Sequence, residues 1–155
     1  VDDITITLRL AAALAAGAVL GINRDLKRKP AGVRTHALVS IGSAVVIMAA
    51  LAIGGTADSV SRVLQGLITG IGFIGAGVII HHERARRIEG LTTAASIWVA
   101  AGLGAACGAG LLALVALAIV AAMIVLLAGG PFERAFERRF LKPEDARPES
   151  EESDD

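Results

Sequence analysis

The chain has 155 residues, 54% of them apolar and only 3% aromatic, and its 15 basic and 15 acidic side chains cancel to a formal charge of zero. Five runs of 17 to 19 residues, spanning 4–22, 37–53, 63–80, 91–107 and 111–128, contain a single charge between them, Arg9. As helices such runs reach roughly 26–28 Å, close to the hydrocarbon thickness of a bilayer, which excludes a water-soluble core. A single cysteine, Cys107, excludes an internal disulfide and a thiolate metal site.

The expected fold is therefore all-α: a polytopic bundle of about five transmembrane helices over residues 1–130, a short interfacial helix over 131–142 and a disordered acidic tail over 143–155. The first run has no basic leader and is longer than a signal-peptide core, so it reads as a retained helix. Within it Arg9, Ala13, Gly17 and Gly21 recur every fourth residue. That ridge of small side chains lets another helix approach closely. Arg9 needs a partner or a route to the interface at that depth, and Asp58 is the acidic candidate on the same side.

The first connection, NRDLKRKPAGVRTH, carries Arg24, Lys27, Arg28, Lys29 and Arg34, and is broken into a turn by Pro30 and Gly32. The second helix has Ser40, Gly42 and Ser43 as its small polar positions, and 54–62 reads as a polar connection. The third helix carries Gly66, Gly70, Gly72, Gly75 and Gly77. A charged loop over 81–90 contains Arg84, Arg86 and Arg87. The fourth helix ends in Gly102, Gly104, Gly108 and Gly110, and the fifth is Leu, Ala and Val almost throughout, which suits lipid. Gly129, Gly130 and Pro131 are expected to stop it, and Phe132, Phe136 and Phe140 then recur at the spacing of an amphipathic interfacial helix.

Basic residues orient the chain. The connections after the first, third and fifth helices hold 5, 3 and 5 Lys or Arg, whereas the opposite side has Arg62 alone. The positive-inside rule then places the N-terminus outside and the C-terminus in the cytoplasm, which requires an odd number of spans.

Two constellations bear on function. Gly70 to Gly75 spells GxGxxG, but it lies inside a membrane-length run without the strand, the helix start and the acidic residue that a dinucleotide site needs. Close helix packing is the better reading, with a polar path along the helix as the other. The second constellation follows from topology: Arg24, Asp25, Arg34, Thr35, His36, Glu89, Thr92 and Thr93 all fall at the cytoplasmic face. A solvated basic loop and a functional face account for it equally well. No catalytic pair, cofactor motif or nucleic-acid surface is recognisable, no metal-ligand spacing supports His36, His81 and His82, and no Asp or Glu lies within a span. The expected partners are the lipid bilayer and further copies of the chain, since glycine ridges favour self-association.

Three blocks carry a family likeness: Arg24-Asp25 with Lys29-Pro30-Ala31-Gly32-Val33-Arg34-Thr35-His36; Gly70 to Gly77; and Gly90 to Trp98. In order and spacing they resemble the membrane domain of the MgtC/SapB family, over roughly residues 15–110. The resemblance implies a non-enzymatic bacterial inner-membrane protein of about five helices, linked to growth at low Mg²⁺ and, in some pathogens, to survival inside host cells. It also implies association with Mg²⁺ transport, or with an ATPase such as the F-type ATP synthase as a partner. Three features depart from the family pattern. Asn23 and Asp25 replace acidic and Glu positions, the 81–87 loop is more charged, and a short helix and tail stand where longer members carry a regulatory domain. Together these give two expectations: a modulator of membrane ion or ATPase systems working through its cytoplasmic face, or a small oligomeric transporter or channel for Mg²⁺ or another ion.

Overall fold

The computed structural model describes residues 2–82 and 87–140, with side-chain surroundings given for all of these except 80–82, 87–88, 133–135, 137–138 and 140. The expected acidic tail lies outside the described residues. The chain divides into two units, residues 1–123 and 124–155.

The first unit contains α1 (Asp3–Leu26), α2 (Val33–Ala52), α3 (Ala57–Gly77), α4 (Leu91–Ala109) and the start of α5 (Leu112–Phe140). All five helices are long and apolar enough to cross a membrane. Local chemistry sets their ends. Asp2 caps α1, its carboxylate accepting from the Thr5 amide and hydroxyl. Thr56 caps α3 through the Ser59 amide, so most of the polar 54–62 segment is helix rather than connection. Gly110, at φ 82°, closes α4 in the left-handed conformation that glycine adopts without strain. Gly102, Gly104 and Gly108 thus lie inside α4 instead of ending it. Between α3 and α4 the charged loop contains two three-residue strands, β1 (Ile80–His82) and β2 (Arg87–Glu89), paired antiparallel with Ile80 opposite Glu89.

The core is a three-helix packing of α1, α2 and α4. Within their apolar windows 56% of α4, 44% of α2 and 28% of α1 is buried, against 11% for α3 and for α5. Glycines bring the backbones of these three together. A Cβ on Gly17 would lie 2.5 Å from the His36 carbonyl oxygen, and one on Gly21 would strike the backbone of Val33. From the other side, Gly104 sits against the Ser40 backbone and Gly108 against Ala44. The expected ridge of α1 is therefore an interface, and α4 carries a matching one at the same four-residue spacing. Leu20, Ile47, Ile97 and Cys107 fill the remaining space, each 1% exposed or less.

Arg9 does not pair with Asp58. Its guanidinium donates to the Gly108 carbonyl at 2.6 Å, capping the C-terminal end of α4, where carbonyls lack helical partners and the dipole favours a cation. α3 is the loosely attached helix, held through Ile71 and Leu67 against Ile97 and Ala101.

In the second unit the fifth helix does not stop at Pro131; it runs on to Phe140. Proline costs one backbone hydrogen bond and crowds the carbonyl four residues earlier, and neither effect ends a helix whose next turns are strongly helix-forming. Phe132 and Phe136 are exposed on this part, their rings stacked 6.4 Å apart.

Candidate functional site

The residues expected at one membrane face separate into a buried layer and an exposed one. The buried layer begins with Arg24, on the last turn of α1 and 3% exposed. Its Nη2 donates to Thr93 Oγ1 at 2.6 Å, tying α1 to the first turn of α4. The Arg24 Nε and the neighbouring Asn23 Oδ1 are buried without a hydrogen-bond partner among the described residues.

His36, on the first turn of α2, is fully buried. Its Nδ1 donates to the Gly32 carbonyl at 2.9 Å, because a carbonyl only accepts. That leaves Nε2, 2.9 Å from Ser96 Oγ, as the acceptor in the neutral ring. The Ser96 hydroxyl also lies 2.8 Å from the Thr93 carbonyl. The single Ser96 proton serves either Nε2 or that carbonyl, so the bracket across the three helices is two hydrogen bonds, Arg24 to Thr93 and Ser96 to His36, joined through the first turn of α4. Ser40, one turn deeper on α2, is buried with its hydroxyl unpartnered among the described residues.

Asp25 has a different task. Its Oδ2 accepts from the Val33 amide at 3.0 Å, so a carboxylate from the end of α1 caps α2, whose own N-cap residue, Gly32, has no side chain. A Cβ at Gly32 would meet the Asp25 carboxyl group, so a larger residue there would displace the cap. The tight return between them places Arg28 and Ala31 at φ 50° and 57°, a left-handed region that costs a non-glycine residue roughly 1 kcal/mol or more.

The exposed layer comprises Arg34, Glu89 and Thr92, with Arg28 and Lys29 beside them and Thr35 half-buried. Arg34 makes no ion pair among the described residues. Of the expected face, then, Arg24, His36 and Thr93 are internal and Asp25 is a cap, while Arg34, Glu89 and Thr92 face outward. In the sequence Ser96 continues the polar character of Thr92 and Thr93 into the bilayer, and the structure places it in the buried layer; Asn23, buried beside Arg24, carries no such signal.

The glycines of α3 form a separate set. Gly75 meets Ala94 at 3.6 Å, an ordinary contact, whereas a Cβ on Gly66, Gly70, Gly72 or Gly77 would meet nothing within 4 Å. Among the described residues no group of three His, Cys, Asp or Glu side chains is placed to hold a metal ion. An apolar cleft of about 240 Å³ lies between α2, α3 and α4, bordered by Ile47, Leu64, Ile71, Trp98 and Ala105.

Five membrane-length helices define a multi-pass membrane protein, and a polar bracket joins the ends of three of them. The chain belongs to the MgtC family, whose model matches residues 10–135. Relatives include protein SrpB of Synechococcus elongatus, 40% identical over 121 residues covering 71% of this chain and 66% of that protein. Protein MgtC of Salmonella typhimurium is 42% identical over 103 residues, covering 66% of this chain and 43% of its own length. Protein MgtC of Brucella abortus is 38% identical over 111 residues, 72% and 45% respectively. The chain thus spans about half to two thirds of the length of these relatives. No solved structure matches it.

Proposed function

We propose that this protein is a non-catalytic modulator in the bacterial inner membrane, acting in Mg²⁺ homeostasis through a cytoplasmic face that engages a membrane ion or ATPase system. The observation that carries this reading is the position of Arg34. It is exposed on the second residue of α2, where the positive end of the helix dipole disfavours a cation by roughly 0.3–1 kcal/mol. Helix stability gives no reason for it. Recognition of an acidic partner surface does, and the buried bracket beneath holds the three helix ends rigid, so that little ordering is left to offset on docking.

The orientation follows from the basic connections: with the N-terminus outside, the α1–α2 and α3–α4 connections both face the cytoplasm. Reversing the charge at Arg34 separates stability from function. Arg34→Glu should leave the melting temperature in detergent unchanged or slightly raised, because the new side chain suits the helix N-terminus, and the other basic residues of the loop preserve topology. In a strain that depends on this protein for growth at low Mg²⁺, the variant should lose the growth effect. Normal growth from well-expressed Arg34→Glu protein would refute the cytoplasmic-face reading.

A further inference from the structure

We propose that the outward face of α3 is the contact between two copies of this chain, related by a two-fold axis along the membrane normal. α3 meets its own bundle through Leu64, Leu67 and Ile71. Half a turn away, and pointing out of the bundle, are Arg62, Gln65, Gly66, Thr69, Gly70 and Phe73, all exposed.

The small residues alone would not assign this face a partner; Gln65 does. It lies two residues inside the apolar run that begins at Val63, and its exposed side-chain amide makes no hydrogen bond among the described residues. Hydrocarbon supplies neither donor nor acceptor, so an amide held there needs a protein neighbour. The Thr69 hydroxyl, by contrast, is satisfied by the Gln65 carbonyl at 2.8 Å.

Self-complementarity selects a second copy over another protein. An amide is at once donor and acceptor, so a two-fold axis beside Gln65 lets the two amides satisfy each other. Asp58 and Arg62 are exposed one turn apart near the end of the same face, and neither forms an ion pair among the described residues. The same axis brings the Arg62 of each copy within reach of the other's Asp58. Gly66 and Gly70, with open space over both Cα atoms, give the close approach that such a contact needs. Phe73, 84% exposed, is the bulky residue that would cover them. The face thus carries both halves of each polar pair, as an isologous interface must.

The same openness makes the test clean, because a side chain added at Gly70 meets nothing in its own copy. Single-cysteine variants Gln65→Cys, Thr69→Cys, Phe73→Cys and, as a lipid-facing control, Leu117→Cys would be made with Cys107 replaced by Ser. They would be oxidised in native membranes with copper phenanthroline. The expected result is crosslinked dimer at the three α3 positions, at least tenfold more than at Leu117. Adding Gly70→Leu should reduce it at least tenfold with the melting temperature unchanged. Equal crosslinking at Leu117, none at α3 in folded protein, or a dimer indifferent to Gly70→Leu would each overturn the proposal. So would crosslinking of the α3 cysteines only to a different protein.

Discussion

Arg24 shows how a charged residue can be structural in this family's fold. It sits next to a loop of four further basic residues, and by composition it reads as one more solvated cation fixing topology. The structure buries it instead, with Thr93 as its hydrogen-bond partner. Alternating spans put the end of α1 and the start of α4 on one side, where Arg24 meets Thr93; the burial was not legible, because sequence assigns no depth to a residue at a helix end. Arg9 is a similar case. Its acceptor is the Gly108 backbone carbonyl, a group every residue carries and no pattern announces. The bracket predicts an asymmetry between adjacent threonines. Thr93→Val strands a buried guanidinium and should destabilise the folded protein by about 2–3 kcal/mol, whereas Thr92→Val, on an exposed side chain, should stay within about 0.5 kcal/mol. Thermal unfolding in detergent checks both, and equal effects would dismiss the bracket.

At the level of elements, the same small-residue spacing has opposite consequences in different helices. Gly17 and Gly21 on α1, and Gly104 and Gly108 on α4, seat those helices on the α2 backbone. Of the more conspicuous glycines of α3, Gly75 meets Ala94 of α4, while Gly66, Gly70, Gly72 and Gly77 have open space over them. Periodicity reveals that a helix has a small-residue ridge, but which ridge meets the chain's own helices depends on how the bundle closes. That is why α1's ridge was readable as an interface while α4's glycines looked like a terminator. The contrast is measurable: Gly104→Ala drives a methyl into the Ser40 carbonyl and should cost about 1–3 kcal/mol. Gly72→Ala meets nothing and should be neutral or stabilise by up to about 1 kcal/mol through helix propensity. Five membrane-length helices were legible because the five long apolar runs hold a single charge, Arg9, between them. The continuation of α5 through Pro131 was not, since proline's local penalty does not say whether the following turns will resume the helix.

In its first unit this MgtC family member gathers most of its buried polar groups where the end of α1 meets the starts of α2 and α4, with exposed charged residues on the connections beside them. That arrangement supports the proposed modulation of a partner over conduction of an ion by the chain itself. The most direct test is Mg²⁺ flux into proteoliposomes holding only the purified, folded protein, with a Mg²⁺-sensitive dye inside. The account predicts uptake no faster than in empty liposomes. Saturable uptake that disappears with Gly72→Leu, in protein whose fold is intact, would contradict it and make the chain a transporter.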